Sequence, residues 1–139
     1  MPMPRFDDIE VGDDLPALEH PPIDRLQLAL YAGASGDHNP MHVDIDFVKK
    51  AGLDDVFAHG MLGMAWLGRL VTQWVPQTAL RNLDARFLDI VPVHAEVISR
   101  GRVARKFTEE GENRIEVEIE NVDGEGKASI SGRAVIALD

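Results

Sequence analysis

At 139 residues the chain fits one domain, at about 150 residues per domain, with a core of its own. Apolar residues are 45% and charged residues 27%, which excludes a disordered or collagen-like chain. Lys and Arg number 14 against 24 Asp and Glu, a formal net charge of −10 that argues against nucleic acid and anionic membrane as partners, and with no cysteine there are no disulfides, thiolate nucleophiles or cysteine-held metals.

Residues 1–23 are rich in Pro, Asp and Glu and read as loop with one short strand. Their first stretch, MPMPRFDDIEVGDD, has neither the basic nor the apolar region of a leader. The uncharged apolar run Gly60 to Gly68 is far short of the ~20 residues a bilayer needs, so a soluble, cytoplasmic protein is expected. Asp24 reads as the N-cap of a helix Arg25–Tyr31, with Leu26, Leu30 and Ala29 on its apolar face. Gly33, Gly36 and Pro40 then predict a loop over 33–43, and Asp44 caps a short helix Ile45–Ala51 that Gly52 stops. Gly60 to Val75 is apolar on nearly every face, with Arg69 its one charge and Pro76 at its end. Such a helix is expected to be buried all round. Its glycines 60, 63 and 68 each cost up to ~1 kcal/mol relative to alanine, which points to close approach by a sheet or a ligand chain.

From Leu83 the apolar period becomes 2. Strands are predicted over 85–91, 95–107, 113–122 and Ala128–Leu138, with a turn at 123–126. If the hairpin turn centres near residue 110, Arg100 faces Glu120 and Arg102 faces Glu118, which makes these arginines structural. The whole, residues 1–139, reads as a single α+β domain: a curved antiparallel sheet wrapped around one buried helix.

Chemistry concentrates in YAGASGDHNPMHVD, residues 31–44. Pro40 sets its own φ and biases Asn39 away from helix, so Asp37 and His42 can be held in a turn and converge on one water. The plainer alternative makes Asp37 a turn cap and His42 a structural histidine. His38, His42, Asp44, Asp46 and His59 form a possible metal-ligand pool, but the His38/His42 spacing needs a helix and Pro40 interrupts it, so no metal is expected. In Phe57-Ala-His59-Gly60-Met61, Gly60 begins the apolar helix, where a free N–H can stabilise an oxyanion. The alternative is that Gly60 only lets the chain turn while His59 caps it.

The segment 31–44 followed by FAHGMLGMA (57–65) resembles the signature of the MaoC-like, R-specific enoyl-CoA hydratases and (3R)-hydroxyacyl dehydratases: Gly-Asp-x-Asn-Pro-x-His, then Ala-His-Gly-Met at the start of the central helix. Order and spacing both fit, most clearly over residues 25–92. The resemblance implies the hot-dog fold, in which a curved antiparallel sheet wraps one long helix, usually paired into a homodimer or with a homologous subunit. It implies catalysis by Asp37 and His42, a loop shaped by Asn39 and Pro40, and a thioester carbonyl polarised by the Gly60 N–H. The implied reaction is reversible hydration of trans-2-enoyl thioesters of CoA or acyl-carrier protein, without cofactor or metal. A thioesterase and a non-catalytic acyl-thioester-binding subunit are the alternatives on this fold.

Overall fold

Alternation of apolar and charged residues down the last third of the chain drives the sheet. Ile115, Val117 and Ile119 are buried, whereas Glu118 is exposed. The computed structural model describes residues 2–139. Its elements in chain order are β1 (Leu18–His20), α1 (Arg25–Ser35), α2 (Pro40–Val43), α3 (Ile45–Lys50), α4 (Gly60–Thr72), β2 (Leu80–Phe87), β3 (Val97–Glu109), β4 (Glu112–Val122) and β5 (Ala128–Leu138). Two short 3₁₀ turns, Phe6–Asp8 and Gln77–Ala79, complete it. The strands form one antiparallel five-stranded sheet, ordered β1-β3-β4-β5-β2.

The β3–β4 hairpin turns through Glu110 and Gly111, both at positive φ (50° and 75°). Arg100 pairs with Glu120 and Arg102 with Glu118, in the expected register, and a bulge follows Val103. Arg100 also makes an ion pair with Glu120 at 2.7 Å, while Arg102 turns to Asp14 at 2.9 Å.

Helix α4 packs against β2, β3, β4 and β5, so the sheet curves around it as in a hot-dog fold. The core is built from Leu67, Leu70 and Val71 of α4 against Val103, Ile115, Val117 and Ile136 of the sheet. A second cluster joins Leu62 and Trp66 to Ile23, Leu28, Val48 and Val97. No helix among the described residues is long and apolar enough to cross a membrane.

Four sequence expectations need correction. Helix α4 ends at Thr72 rather than Val75, and Met61, Ala65 and Arg69 are exposed, so it is not buried all round. Helix α1 buries Leu28 and Ala32 and leaves Leu26 and Leu30 exposed at 67% and 65%. The predicted loop 33–43 is partly helical: α1 continues to Ser35, and Pro40 starts α2, because a proline at the first helical position loses no internal hydrogen bond. Strand β2 spans 80–87, not 85–91. Its partner β5 runs out there, and the N–H groups of Leu88 and Asp89 both donate to the Ser129 carbonyl, at 2.8 and 3.3 Å.

Candidate active site

The loop before α2 is a chain of local caps. Gly36 closes α1 in the left-handed conformation (φ 78°), and its N–H donates to the Ala32 carbonyl at 3.0 Å. The Asp37 N–H donates to Ser35 Oγ at 3.1 Å, and Asp37 Oδ1 accepts from the Asn39 N–H at 3.2 Å. Asn39 Oδ1 accepts from the Met41 N–H at 3.1 Å and so caps α2, with Pro40 as its first residue. The result is that His42 is carried inward to burial, while the Asp37 side chain stays about half exposed.

His42 is held through its far nitrogen. Nδ1 lies 2.8 Å from the Phe57 carbonyl, and a carbonyl only accepts, so Nδ1 carries the hydrogen and neutral His42 presents a lone pair at Nε2. That Nε2 lies 3.8 Å from Asp37 Oδ2. The gap is too long for a direct hydrogen bond and suits one bridging water.

His59 precedes α4 but does not cap it with its side chain, contrary to the simpler sequence alternative. Its Nε2 instead donates to the Asp37 carbonyl at 3.1 Å, 22 residues back. The ring stacks on His42 (centroids 3.9 Å, 27°) and meets Tyr31 edge-on at 4.8 Å. Nδ1 has no hydrogen-bond partner among the described residues, and burial pushes the His59 pKa below 6.5. The role of this residue escaped the sequence reading, whose one available signal was a histidine directly before the helix-starting glycine.

Gly60 is the first residue of α4, so no earlier turn accepts its N–H. A Cβ there would lie 3.1 Å from the Phe87 ring, which glycine allows to lean on the backbone. His42, His59 and Gly60 line a pocket of about 440 Å³ whose walls also include Ile23, Trp66, Val97 and Ile130. A larger hollow of about 1070 Å³ on the outer face of the sheet is lined by alternating acids and arginines, among them the Arg100–Glu120 and Arg102–Asp14 pairs. It contains no histidine and is a salt-bridged surface.

The metal-ligand pool separates. Asp44 caps α3 through the N–H groups of Asp46 and Phe47, and the exposed His38 bonds the Gly36 carbonyl at 3.1 Å. Asp37, His42 and His59 do bring one ligand atom each within 4.8 Å of one another. Their geometry does not fit a shared ion. Lone pairs lie in the ring planes, and two rings stacked at 3.9 Å cannot both aim theirs at one point. The hydrogen on His59 Nε2 further occupies that nitrogen.

His42 and Gly60 therefore line one pocket, and the Asn39–Pro40 turn brings Asp37, which is not among the pocket's walls, to 3.8 Å from His42. Residues 10–126 match the model of the MaoC like domain, and the chain belongs to that family. Among solved structures it is similar to the R-hydratase PhaJ1 of Pseudomonas aeruginosa, with a TM-score of 0.84 and 24% identity, over 97% of this chain and 86% of that one. It is also similar to a chain of the ChsH1-ChsH2 complex of Mycobacterium tuberculosis, with a TM-score of 0.78 and 21% identity, over 94% and 98% of the two chains. A segment of 64 residues, 44% of this chain, is 34% identical to fatty acid synthase subunit beta of Saccharomyces cerevisiae, but it spans only 3% of that protein.

Proposed function

We propose that this protein adds water reversibly across the 2,3 double bond of a trans-2-enoyl thioester, giving the (3R)-3-hydroxyacyl thioester, or runs the reverse dehydration. One observation carries the reading: Asp37 Oδ2 and His42 Nε2 face each other across 3.8 Å, and His42 lines a largely apolar pocket together with Gly60, the first residue of α4. Both groups accept hydrogen bonds, so one water can donate to each. As the water oxygen bonds to C3, one of its O–H bonds breaks and the pair takes that proton. A proton then returns from the pair to C2 on the same face, so one whole water is added. Negative charge gathers meanwhile on the thioester oxygen, which the Gly60 N–H stabilises. Removing one such donor costs about 3 kcal/mol in comparable oxyanion holes. The acyl thioester is carried by CoA or acyl-carrier protein, the partner is a second copy or a homologous hot-dog subunit, and the compartment is the cytoplasm.

The test is a coupled hydration assay, with chiral analysis of the product, on Asp37→Asn, His42→Ala and the double variant. Each single change lowers kcat at least about 100-fold. The double variant is little worse, because the two groups act as a unit. Near-normal kcat in a well-folded Asp37→Asn protein sinks the mechanism and favours the thioesterase or binding-subunit alternatives.

A further inference from the structure

We propose that Trp66, fixed by a hydrogen-bonded chain from His20 to the backbone of α4, is the back wall of the acyl pocket and restricts the substrate to acyl chains of short to medium length. The inference rests on the acyl-thioester reading above. Helix α4 lines the pocket with Gly60, Gly63 and Trp66, spaced by three residues on one side of the helix. The first two have no side chain, and the Phe87 ring and Ile130 lean on the helix backbone in their place as walls of the pocket. The third carries an indole and closes the path. Six residues of rise place Trp66 about 9 Å along the axis from Gly60. A zigzag chain advancing about 1.3 Å per carbon–carbon bond covers that distance in about seven bonds.

The indole is braced from behind. The ring of His20, on β1, stacks on it with centroids 4.0 Å apart and planes within 15°. His20 Nε2 donates to Ser99 Oγ at 2.9 Å, the Ser99 hydroxyl donates to Asn121 Oδ1 at 2.6 Å, and Asn121 Nδ2 donates to the Gly63 carbonyl at 2.9 Å. The amide oxygen only accepts, which fixes the direction of every bond in the chain. Ser99 and Asn121 are 0% and 1% exposed. Burial, aided by Arg69, pushes the His20 pKa down, so an uncharged ring faces the indole at neutral pH. The chain ties β1, β3, β4 and α4 together, and a fully satisfied buried network of this kind holds one geometry. Swinging Trp66 aside would break the stack that this network supports.

The experiment measures Kd by calorimetry for the unreactive thioesters butanoyl-, hexanoyl-, octanoyl- and dodecanoyl-CoA. For the unmodified protein, affinity rises to octanoyl-CoA and falls by about tenfold or more at dodecanoyl-CoA. Trp66→Leu restores dodecanoyl-CoA binding to within about threefold of octanoyl-CoA, and His20→Ala does so in part. Equal affinity for octanoyl- and dodecanoyl-CoA in the unmodified protein overturns the inference. So does a Trp66→Leu profile that matches the unmodified one. If Trp66→Leu does not fold, the unmodified series and Trp66→Phe, expected to weaken the cutoff, decide it. The probes do not react, so a protein that shows the cutoff yet hydrates no enoyl-CoA refutes the hydratase reading alone. Binding of none of the four, whether as CoA thioesters or as the same acyl groups on acyl-carrier protein, overturns both.

Discussion

His42 and His59 lie face to face, and their hydrogen bonds give them different tasks. His42 spends Nδ1 on the Phe57 carbonyl and keeps Nε2 toward Asp37. His59 spends Nε2 on the Asp37 carbonyl, which steadies the backbone that carries the carboxylate. His59→Leu removes that bond at a cost of about 1 kcal/mol in stability. His59→Gln offers a replacement N–H and should retain more of both activity and melting temperature. The pH dependence has a definite sign. Burial lowers the folded pKa of His59 below 6.5, so below about pH 6.5 the unfolded chain binds the proton more readily and stability falls with pH. The stability gap between the unmodified protein and His59→Leu therefore narrows on going from pH 7.5 to about pH 5.5. Melting curves at three pH values check it, and a gap independent of pH contradicts it.

Within elements, the glycines of α4 separate into different cases. A Cβ on Gly63 would fall 2.5 Å from Ile130 Cδ1 and 3.1 Å from Asn121 Nδ2, whereas one on Gly68 meets nothing within 4 Å. Gly68→Ala should raise stability by up to ~1 kcal/mol through helix propensity. Gly63→Ala should lower it by about 1–3 kcal/mol, because Ile130 and the Asn121 bond must move. Denaturant titrations of both variants test the contrast, and equal effects would refute it. The letters alone show three glycines and cannot tell which of them the sheet touches. The hairpin was legible because its charges alternate, so any register two residues away still opposes Arg to Glu. Strand β2 was misplaced because Phe87, Leu88, Ile90 and Val91 read as strand, yet they border the pocket and only Phe87 belongs to the ladder. Helix α1 was misphased because Leu26 and Leu30 are as apolar as Leu28, and only packing against α2 and the second core cluster selects a face. That Asp37 and His42 approach each other and that Gly60 opens α4 was legible through residue type and spacing. The His59 bond was not, since its acceptor is a main-chain carbonyl, which every residue has.

For the molecule as a whole, Phe87, Leu88, Ile90 and Met61 are each about half exposed, and the first three border the pocket. Strand β2 beside them is an edge strand paired only with β5. An exposed apolar margin next to an open edge is a surface for a second subunit. Light scattering at micromolar concentration should give a dimer, and Leu88→Glu with Ile90→Glu should shift it toward monomer. A monodisperse monomer of the unmodified protein contradicts the dimer.

The opposite border of the sheet behaves differently. There the N-terminal segment lies along β3: the N–H groups of Gly12 and Leu15 donate to the carbonyls of Val103 and Gly101, and Val103 returns a bond to Asp13. Further along, Lys106 reaches the Ile9 carbonyl at 2.7 Å. These contacts occupy the β3 edge groups of Gly101 and Val103 in an irregular path, while β1 covers Val97 to Ser99. The two borders of the sheet are thus unlike: one is the eight-residue edge strand β2 beside apolar side chains, the other the three-residue β1 followed by an irregular segment. Two molecules that joined through β2 would leave only the short, irregular borders facing outward, so growth is expected to stop at a closed, two-fold pair. A chain with both borders open could instead add copies without limit. The irregular N-terminal segment is therefore expected to discourage further growth, and because its Ile9 and Leu15 sit in the core, shortening it past Leu15 should cost stability as well as uncover part of the β3 edge.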